Sequence, residues 1–532
     1  MNRYKVLLLT AGLALLSTSC NSFLDTPPDK RPELDDPTTE QLHALLTSAY
    51  CEVSTEELTE GRTDNAMDNG GTYSAPSELR ENYYWEPNTG TWWGSTQRLW
   101  SASFNAISAA NFALELIEKN GNKPEYNSAK GEALLCRAWN HFVMLSIFSH
   151  AYNGQTSSTD LGIPYFTTAE KNVTTKYKRL SVKECFDLME QDIEAGLPLI
   201  DETKYKTGTV MYHFNNKAAH AFAAQFYLYK EEWAKAKKHA TLAIGENPSA
   251  SLRDVARYAK TTNGAEELTN AYNSTAEPAN LMLQTSNTNW GRYYVGYNYA
   301  LRYANNRYIN TTQTYASPGP WGSSLPSLEN LVVSYTSASD ALFFIQKNHE
   351  YFVLANATAG TGQPYTVSRP FTVDRTLFVR AEANVMLGLY EEAARDLSYW
   401  YVRNGARAVS ADVIAAFYAL PEVTGRELTK DEKTRRDMLL STYAKALNPK
   451  FALQPGMQYN MIQAVLHARR IDGVHEGTRW DDIKRYGIEI EHPIFEGEVM
   501  KLGKDDPRRA IQLPADIIAA GLQANPREAG KP

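Results

Sequence analysis

Apolar residues recur at spacings of three and four along much of the chain, the mark of helices that bury one face. Leu99, Ala102, Ala106, Ala109, Ala113, Leu116 and Ile117 predict a helix beginning near Trp100. Leu134, Leu135, Ala138, Trp139, Phe142, Leu145 and Ile147 predict a second over about 128–150. Five more are read at about 181–197, 212–230, 232–246, 374–388 and 390–403, after a short one within 38–52. Trp100 and Trp139 fall at helical spacing and read as core. Three stretches break the pattern. Residues 54–98 are polar and rich in Gly, Asn and aromatics, with no sustained period, and read as irregular loops. Residues 261–325 read as an irregular insertion, with Trp290, Tyr293, Tyr294, Tyr297, Tyr299, Tyr303, Tyr308 and Tyr315 inside 26 positions and Trp321 soon after. The polar stretch 355–372 reads as a hairpin or a loop.

Two of the helix pairs carry a repeat. In 219–248, Tyr227, Trp233, Ala236, Ala240, Ala243 and Pro248 stand at the spacing of a tetratricopeptide unit: small residues let the helices approach, and Pro248 ends the second. In 377–400, Gly388, Tyr390, Ala393 and Leu397 repeat the turn and the start of its second helix. The fold class expected is therefore all-α dominated, a tetratricopeptide-like helical repeat scaffold with a large, irregular, loop-rich lobe.

The amino terminus is an address. Arg3 and Lys5 precede a largely apolar stretch of eleven residues, Val6 to Leu16, and then Ser17-Thr18-Ser19-Cys20. Eleven residues fall short of the roughly 20 that span a bilayer, and no later segment comes near that length. A cysteine directly after small residues resembles a bacterial lipoprotein signal, although the third position before it is Ser17, with Leu16 one place further off. On this reading 1–19 is the signal peptide, Cys20 is the acylated first residue of the mature chain, and 20–37, with four prolines, is a tether. Three further cysteines, Cys51, Cys136 and Cys185, leave room for at most one disulfide, and Cys136 reads as core.

Charge excludes one class of partner. The chain carries 54 Lys+Arg against 61 Asp+Glu, a net −7, with no basic run beyond pairs, so nothing marks it for nucleic acid. The aromatic content of 11%, with 32 Tyr, is the compositional outlier.

Several fragments, in order, resemble the SusD/RagB family of cell-surface glycan-binding lipoproteins of Bacteroidetes. Cys20-Asn21-Ser22-Phe23-Leu24-Asp25 before prolines is similar to the family's opening. Trp100 to Asn111, and Gly131-Glu132-Ala133 through Gly162-Ile163-Pro164-Tyr165, look like its first helices and their exit. Leu325-Pro326-Ser327, leading to Leu331-Val332 and Tyr335, resembles the return from the insertion. The most specific block is Arg469-Arg470 and then Glu476-Gly477-Thr478-Arg479-Trp480-Asp481-Asp482 to Gly487, followed by Asp506-Pro507-Arg508, Leu513-Pro514 and Asn525-Pro526. Residues 411–450 have no counterpart. The resemblance implies one SusD-like domain over 38–532, with an N-terminal part (38–325) and a C-terminal part (326–532). It also implies oligosaccharide binding without enzymatic activity or cofactor, an exterior location on the outer membrane through the lipid anchor, and a SusC-like TonB-dependent transporter as partner.

A sugar ring offers an apolar C–H face and a rim of hydroxyls, so its site needs flat aromatic rings with amide or charged groups at the edge. The stretches 73–93 and 287–321 supply that mix. The candidate ligand residues are Tyr84, Trp92, Trp93, Trp290, Tyr293, Tyr297 and Trp321; glycines beside Trp92, Trp290 and Trp321 suggest uncrowded ring faces. Two other readings compete. Glu476 and Asp481 could be the carboxylate pair of a glycoside hydrolase, but charges of alternating sign at short spacing also describe a surface ion-pair network, which is the reading adopted. A peptide-capturing relative is the other. His467 and His475, eight residues apart without a third ligand, make no metal site.

Overall fold

The computed structural model describes residues 35–71, 73, 75–169, 177–262, 264–295, 302–337, 340–356, 358–421 and 426–527. Cys20, the signal peptide, most of the tether and Tyr297 lie outside the described residues.

The periodic segments form helices, and local capping sets where they start. Helix α1 (Thr39–Leu46) begins at a capping box of Thr38 and Gln41, and α2 (Thr96–Lys119) begins under Ser95. Next come α3 (Asn127–Phe148) and α4 (Val182–Gly196), the latter opened by a Ser181–Glu184 box. Helices α5 (Asn216–Tyr229) and α6 (Trp233–Ile244) make one hairpin; α7 (Val373–Met386) and α8 (Tyr390–Arg403) make another. The two turns share one hydrogen-bond pattern. Glu231 N donates to Leu228 O and Glu232 N to Tyr227 O; Gly388 N donates to Val385 O and Leu389 N to Asn384 O. Both turns need a left-handed residue, met by Gly388 at φ 75° and, at higher cost, by Glu231 at φ 66°. Helix α6 packs on α7, so the hairpins stack. Residues 411–450, which sequence reading leaves unplaced, supply α9 (Ala411–Tyr418) and α10 (Lys430–Ser441). Helices α11 (Met457–Asp472) and α12 (Arg479–Arg485) complete the scaffold.

The lobe is less irregular than its sequence suggests. Nine short strands are described: β1 (Met67–Asp68), β2 (Asn280–Asn287), β3 (Tyr303–Ala304), β4 (Val332–Ser337), β5 (Asp340–Ile345), β6 (Tyr351–Asn356), β7 (Thr361–Thr372), β8 (Ile490–Pro493) and β9 (Val499–Leu502). Strands β2, β7 and β6 form an antiparallel sheet in that order, so 355–372 is largely the second arm of a hairpin. The others pair as β1–β3, β4–β5 and β8–β9. A small apolar core of its own holds the lobe, built on Leu79, Tyr83, Trp290, Tyr293, Tyr303 and Phe344. The main core runs through the helices. Cys51, Cys136 and Cys185 are all buried and unpaired.

The Glu476–Arg485 cluster is structural, but it is interior rather than a surface network. Glu382 on α7 accepts from Arg485 at 2.7 Å, Arg469 at 2.5 Å and the Tyr486 hydroxyl at 2.7 Å. Asp482 pairs with Arg469 at 2.6 Å, and Asp64 with Arg479 at 3.0 Å and Arg470 at 3.3 Å. Glu476 meets Lys347, Arg369 and Arg375. Most of these counter-charges come from distant segments, which local spacing cannot reveal. Charges taken out of water at such a price in desolvation are tolerated only when paired this fully.

Candidate functional site

The helix Ser77–Tyr83 and the loop that follows it carry a run of aromatic residues. Trp85 sits in the left-handed region at φ 53°, which turns its indole inward. It stacks on His492 at 4.2 Å; His492 stacks on Tyr83 at 4.1 Å, and Tyr83 on Tyr303 at 4.5 Å. The Trp85 indole N–H donates to Arg62 O at 2.9 Å. With Tyr83 and Trp85 pointing in, Tyr84 between them stays half-exposed under the Arg80 guanidinium, 4.6 Å from its ring centre.

The loop 86–94 is held from below. The Glu81 carboxylate accepts from Asn88 Nδ2 at 3.3 Å, Thr89 N at 3.2 Å and the Thr89 hydroxyl at 2.5 Å. Asn82 Oδ1 accepts from Asn88 Nδ2 and from Arg62 at 3.1 Å each. On this base Trp92 and Trp93 are half-exposed. Trp92 lies against Gly90, where any side chain would strike its ring, and Arg98 covers Trp93 at 4.9 Å. The Trp92 indole N–H and the Asn88 Oδ1 have no hydrogen-bond partner, and an enclosed polar atom left unsatisfied is unfavourable by about 1–3 kcal/mol.

Glu57 ties this loop to the second one, a link no sequence signal announced. Its side chain is 0% exposed and packs under Gly94, while its Oε2 accepts from the Thr288 hydroxyl at 3.0 Å and Asn289 N at 3.3 Å. Burial pushes its carboxyl up to about 7.

Three of the candidate residues are placed otherwise than their sequence context suggests. Trp290 is 1% exposed and donates its indole N–H to His475 O at 3.0 Å. Trp321 is 6% exposed, packed against Tyr401 and His467. Tyr293 is buried, with its hydroxyl on Glu78. The neighbouring glycines leave no ring face open. Gly291 admits the Asn348 backbone, and Gly319 admits the Trp321 ring itself. Tyr84, Trp92 and Trp93 are thus partly exposed, whereas Trp290, Tyr293 and Trp321 are buried and hold the loops. Trp100 is buried as its spacing predicts, whereas Trp139 is half-buried and lines a pocket.

The carboxylates proposed for hydrolysis are engaged elsewhere. Burial alone would raise the Glu476 carboxyl, but Lys347, Arg375 and Arg369 outweigh it and hold it well below the usual range, so Glu476 has no proton to give. Asp481 accepts from the Tyr229 hydroxyl at 3.1 Å. His467 is buried between Tyr418 and Ser317. Among the described residues, no group of three or more His, Cys, Asp or Glu could hold a metal ion, and no helix is long and apolar enough to cross a membrane.

The comparisons agree with this architecture. A SusD-like family profile, described as starch-binding and associating with the outer membrane, matches residues 22–228. A SusD superfamily protein from Bacteroides vulgatus matches with TM-score 0.60 and 17% identity, over 93% of this chain and 99% of that one. One from Bacteroides fragilis matches with TM-score 0.60 and 16% identity, over 91% and 98%. A laminarin-binding SusD-like protein matches with TM-score 0.56 and 13% identity, over 92% and 99%. Comparison with curated protein sequences gives no match. The family profile covers the loop 86–94, and the chain shares the fold of SusD superfamily proteins over more than nine-tenths of its length.

Proposed function

We propose that this chain is a carbohydrate-binding protein that captures oligosaccharides on the Tyr84–Trp92–Trp93 platform and passes them to a SusC-like TonB-dependent transporter. The observation that carries the reading is the pair of half-exposed indoles on a loop pinned from below by Glu81 and Asn82. Rings held in place offer the C–H face of a sugar a surface whose ordering is already complete, and Arg80, Glu86, Asn88 and Arg98 stand at the rim. The starch-binding description of the matching family profile and the laminarin-binding neighbour favour a glycan over a peptide. The mechanism is binding without chemistry, with affinities on the order of micromolar to millimolar, which suits release to a partner. The signal peptide 1–19 would direct export and be removed, and acylation of Cys20 would hold the mature chain at the outer membrane, facing the exterior.

The test is a glycan array with affinity electrophoresis on the chain from Asn21 onward, beside Trp92→Ala, Trp93→Ala and Trp290→Ala. Losing one stacked ring is worth about 1 kcal/mol or somewhat more, close to a tenfold drop in affinity. Trp92→Ala or Trp93→Ala should weaken binding by that factor with the melting temperature kept, whereas Trp290→Ala should lower the melting temperature first. Wild-type affinity in the Trp92→Ala/Trp93→Ala double variant would refute the platform.

A further inference from the structure

A partly open pocket of about 170 Å³ lies where the segment 51–59, α3, α5, β7, α7 and α11 meet. Its wall is mixed. Trp139, wedged among Phe142, Phe222 and Phe371 at 4.8–5.9 Å, is still only half-buried beside it, and so is Tyr229. Polar groups stand between the rings with capacity to spare. The Ser286 hydroxyl, on a residue 1% exposed, has no hydrogen-bond partner. The Gln225 amide has a single long contact, 3.5 Å to the Tyr229 hydroxyl.

The charges around the cavity set the sign of an occupant. Arg375 and Arg369 are committed to Glu476, and Arg469 to Glu382 and Asp482. Among the described lining residues, no free cation waits for an anion. Asp472 and Asp481 already accept from the Trp400 indole N–H and the Tyr229 hydroxyl. What fits is neutral. Voids that stay dry are apolar, and this one is not. Water would satisfy Ser286 and Gln225 but finds few partners on the faces of Trp139 and Phe371, whereas a compact polyol presents hydroxyls to the first pair and C–H groups to the second.

We propose that this cavity is a second binding site, for a neutral polyhydroxylated molecule no larger than one sugar ring, and that it is independent of the Trp92–Trp93 platform. The test follows thermal unfolding of the full chain against rising glycerol, xylose and glucose in four proteins: wild type, Ala221→Phe, Ser286→Val and Trp92→Ala. Ala221 is a buried wall residue on α5, and its enlargement fills the space. Sugars and polyols stabilise any fold by exclusion from its surface, and the filled variant measures that background. The expected result is a saturating rise in melting temperature with at least one probe in wild type and in Trp92→Ala. That rise should vanish in Ala221→Phe, and in Ser286→Val half-saturation should move several-fold higher; a crystal soaked in the same probe should show it in the cavity. If Ala221→Phe does not fold, the Ser286→Val comparison and the soaked crystal decide. Parallel curves in wild type and variant for all three probes, or a soaked crystal holding only water, would overturn the proposal. Loss of glycan binding in Trp92→Ala with the rise intact separates a failure here from a failure at the platform.

Discussion

Replacing Glu57 by glutamine isolates one ionisation at the joint between the two aromatic loops. In the folded protein burial raises this carboxyl from 4.5 to about 7. Below about pH 4.5 the group is protonated in both folded and unfolded chains, and it adds no pH dependence. As pH rises from 4.5 to 7 the unfolded chain loses its proton first, so stability falls by about 1.4 kcal/mol per unit. The fall totals roughly 3 kcal/mol and is complete above pH 7. The glutamine amide keeps an oxygen to accept from Thr288 and Asn289 but cannot ionise. The stability of Glu57→Gln relative to wild type should therefore rise by about 3 kcal/mol between pH 4 and pH 8, whatever the rest of the molecule does over that range. Equilibrium unfolding in urea at five pH values, followed by Trp fluorescence, reads the difference directly. A difference that stays within about 1 kcal/mol from pH 4 to pH 8 refutes the idea that Glu57 is held in a dry joint. Because the same carboxylate reaches Thr288 and Asn289 and packs under Gly94, glycan affinity in wild type, but not in Glu57→Gln, should weaken above pH 7.

Two further outcomes follow from the same geometry. Glu382→Ala strips Arg469, Arg485 and Tyr486 of their common acceptor and leaves the interior Arg485 without an acid, while Arg469 keeps Asp482; chemical denaturation should show a loss of about 3–5 kcal/mol, or no folded protein. The acid limb of the wild-type stability curve carries the same residue: against the pull of burial, Arg485 and Arg469 lower its carboxyl to about 2, so stability it supplies above pH 4.5 is lost as pH falls toward 2. Glu231→Gly relieves a left-handed residue that costs roughly 1 kcal/mol and removes an enclosed, unpartnered Oε1; it should leave the melting temperature equal or higher, while the same change in a helix interior lowers it.

How far the sequence could be read depends on the range of the forces involved. The helices of the scaffold were legible because a buried face imposes a period on neighbouring residues, and α7 and α8 begin and end within about two residues of their predicted bounds. The turn that pairs Glu231 with Gly388 was visible only through Gly388, since a glutamate at positive φ has no sequence mark. The lobe's strands are short and pair across long separations, as Met67 does with Ala304, so no alternating pattern develops. Tyr84, Trp92 and Trp93 were singled out because rings without a period stand out, and the same criterion picked the buried Trp290 and Trp321. A glycine beside a tryptophan says only that something comes close, and here it was backbone or the ring itself. Glu57 was invisible, since its role rests on residues more than 200 positions away.

The long-range ion pairs have a consequence in time. Glu60 accepts from the backbone of His475 and Gly477, and Asp64 is paired by Arg470 and Arg479. A chain that appears amino terminus first shows these acids some 400 residues before their partners exist. That interval lasts as long as the intervening chain takes to emerge. Through it the segment 56–65 has nowhere to bury its charge, so the platform loop resting on Glu57 and Arg62 stays unmade until α11 and α12 emerge. The surface proposed to grip a ligand is thereby among the last parts of the molecule to become competent, and a chain truncated before residue 470 never acquires it.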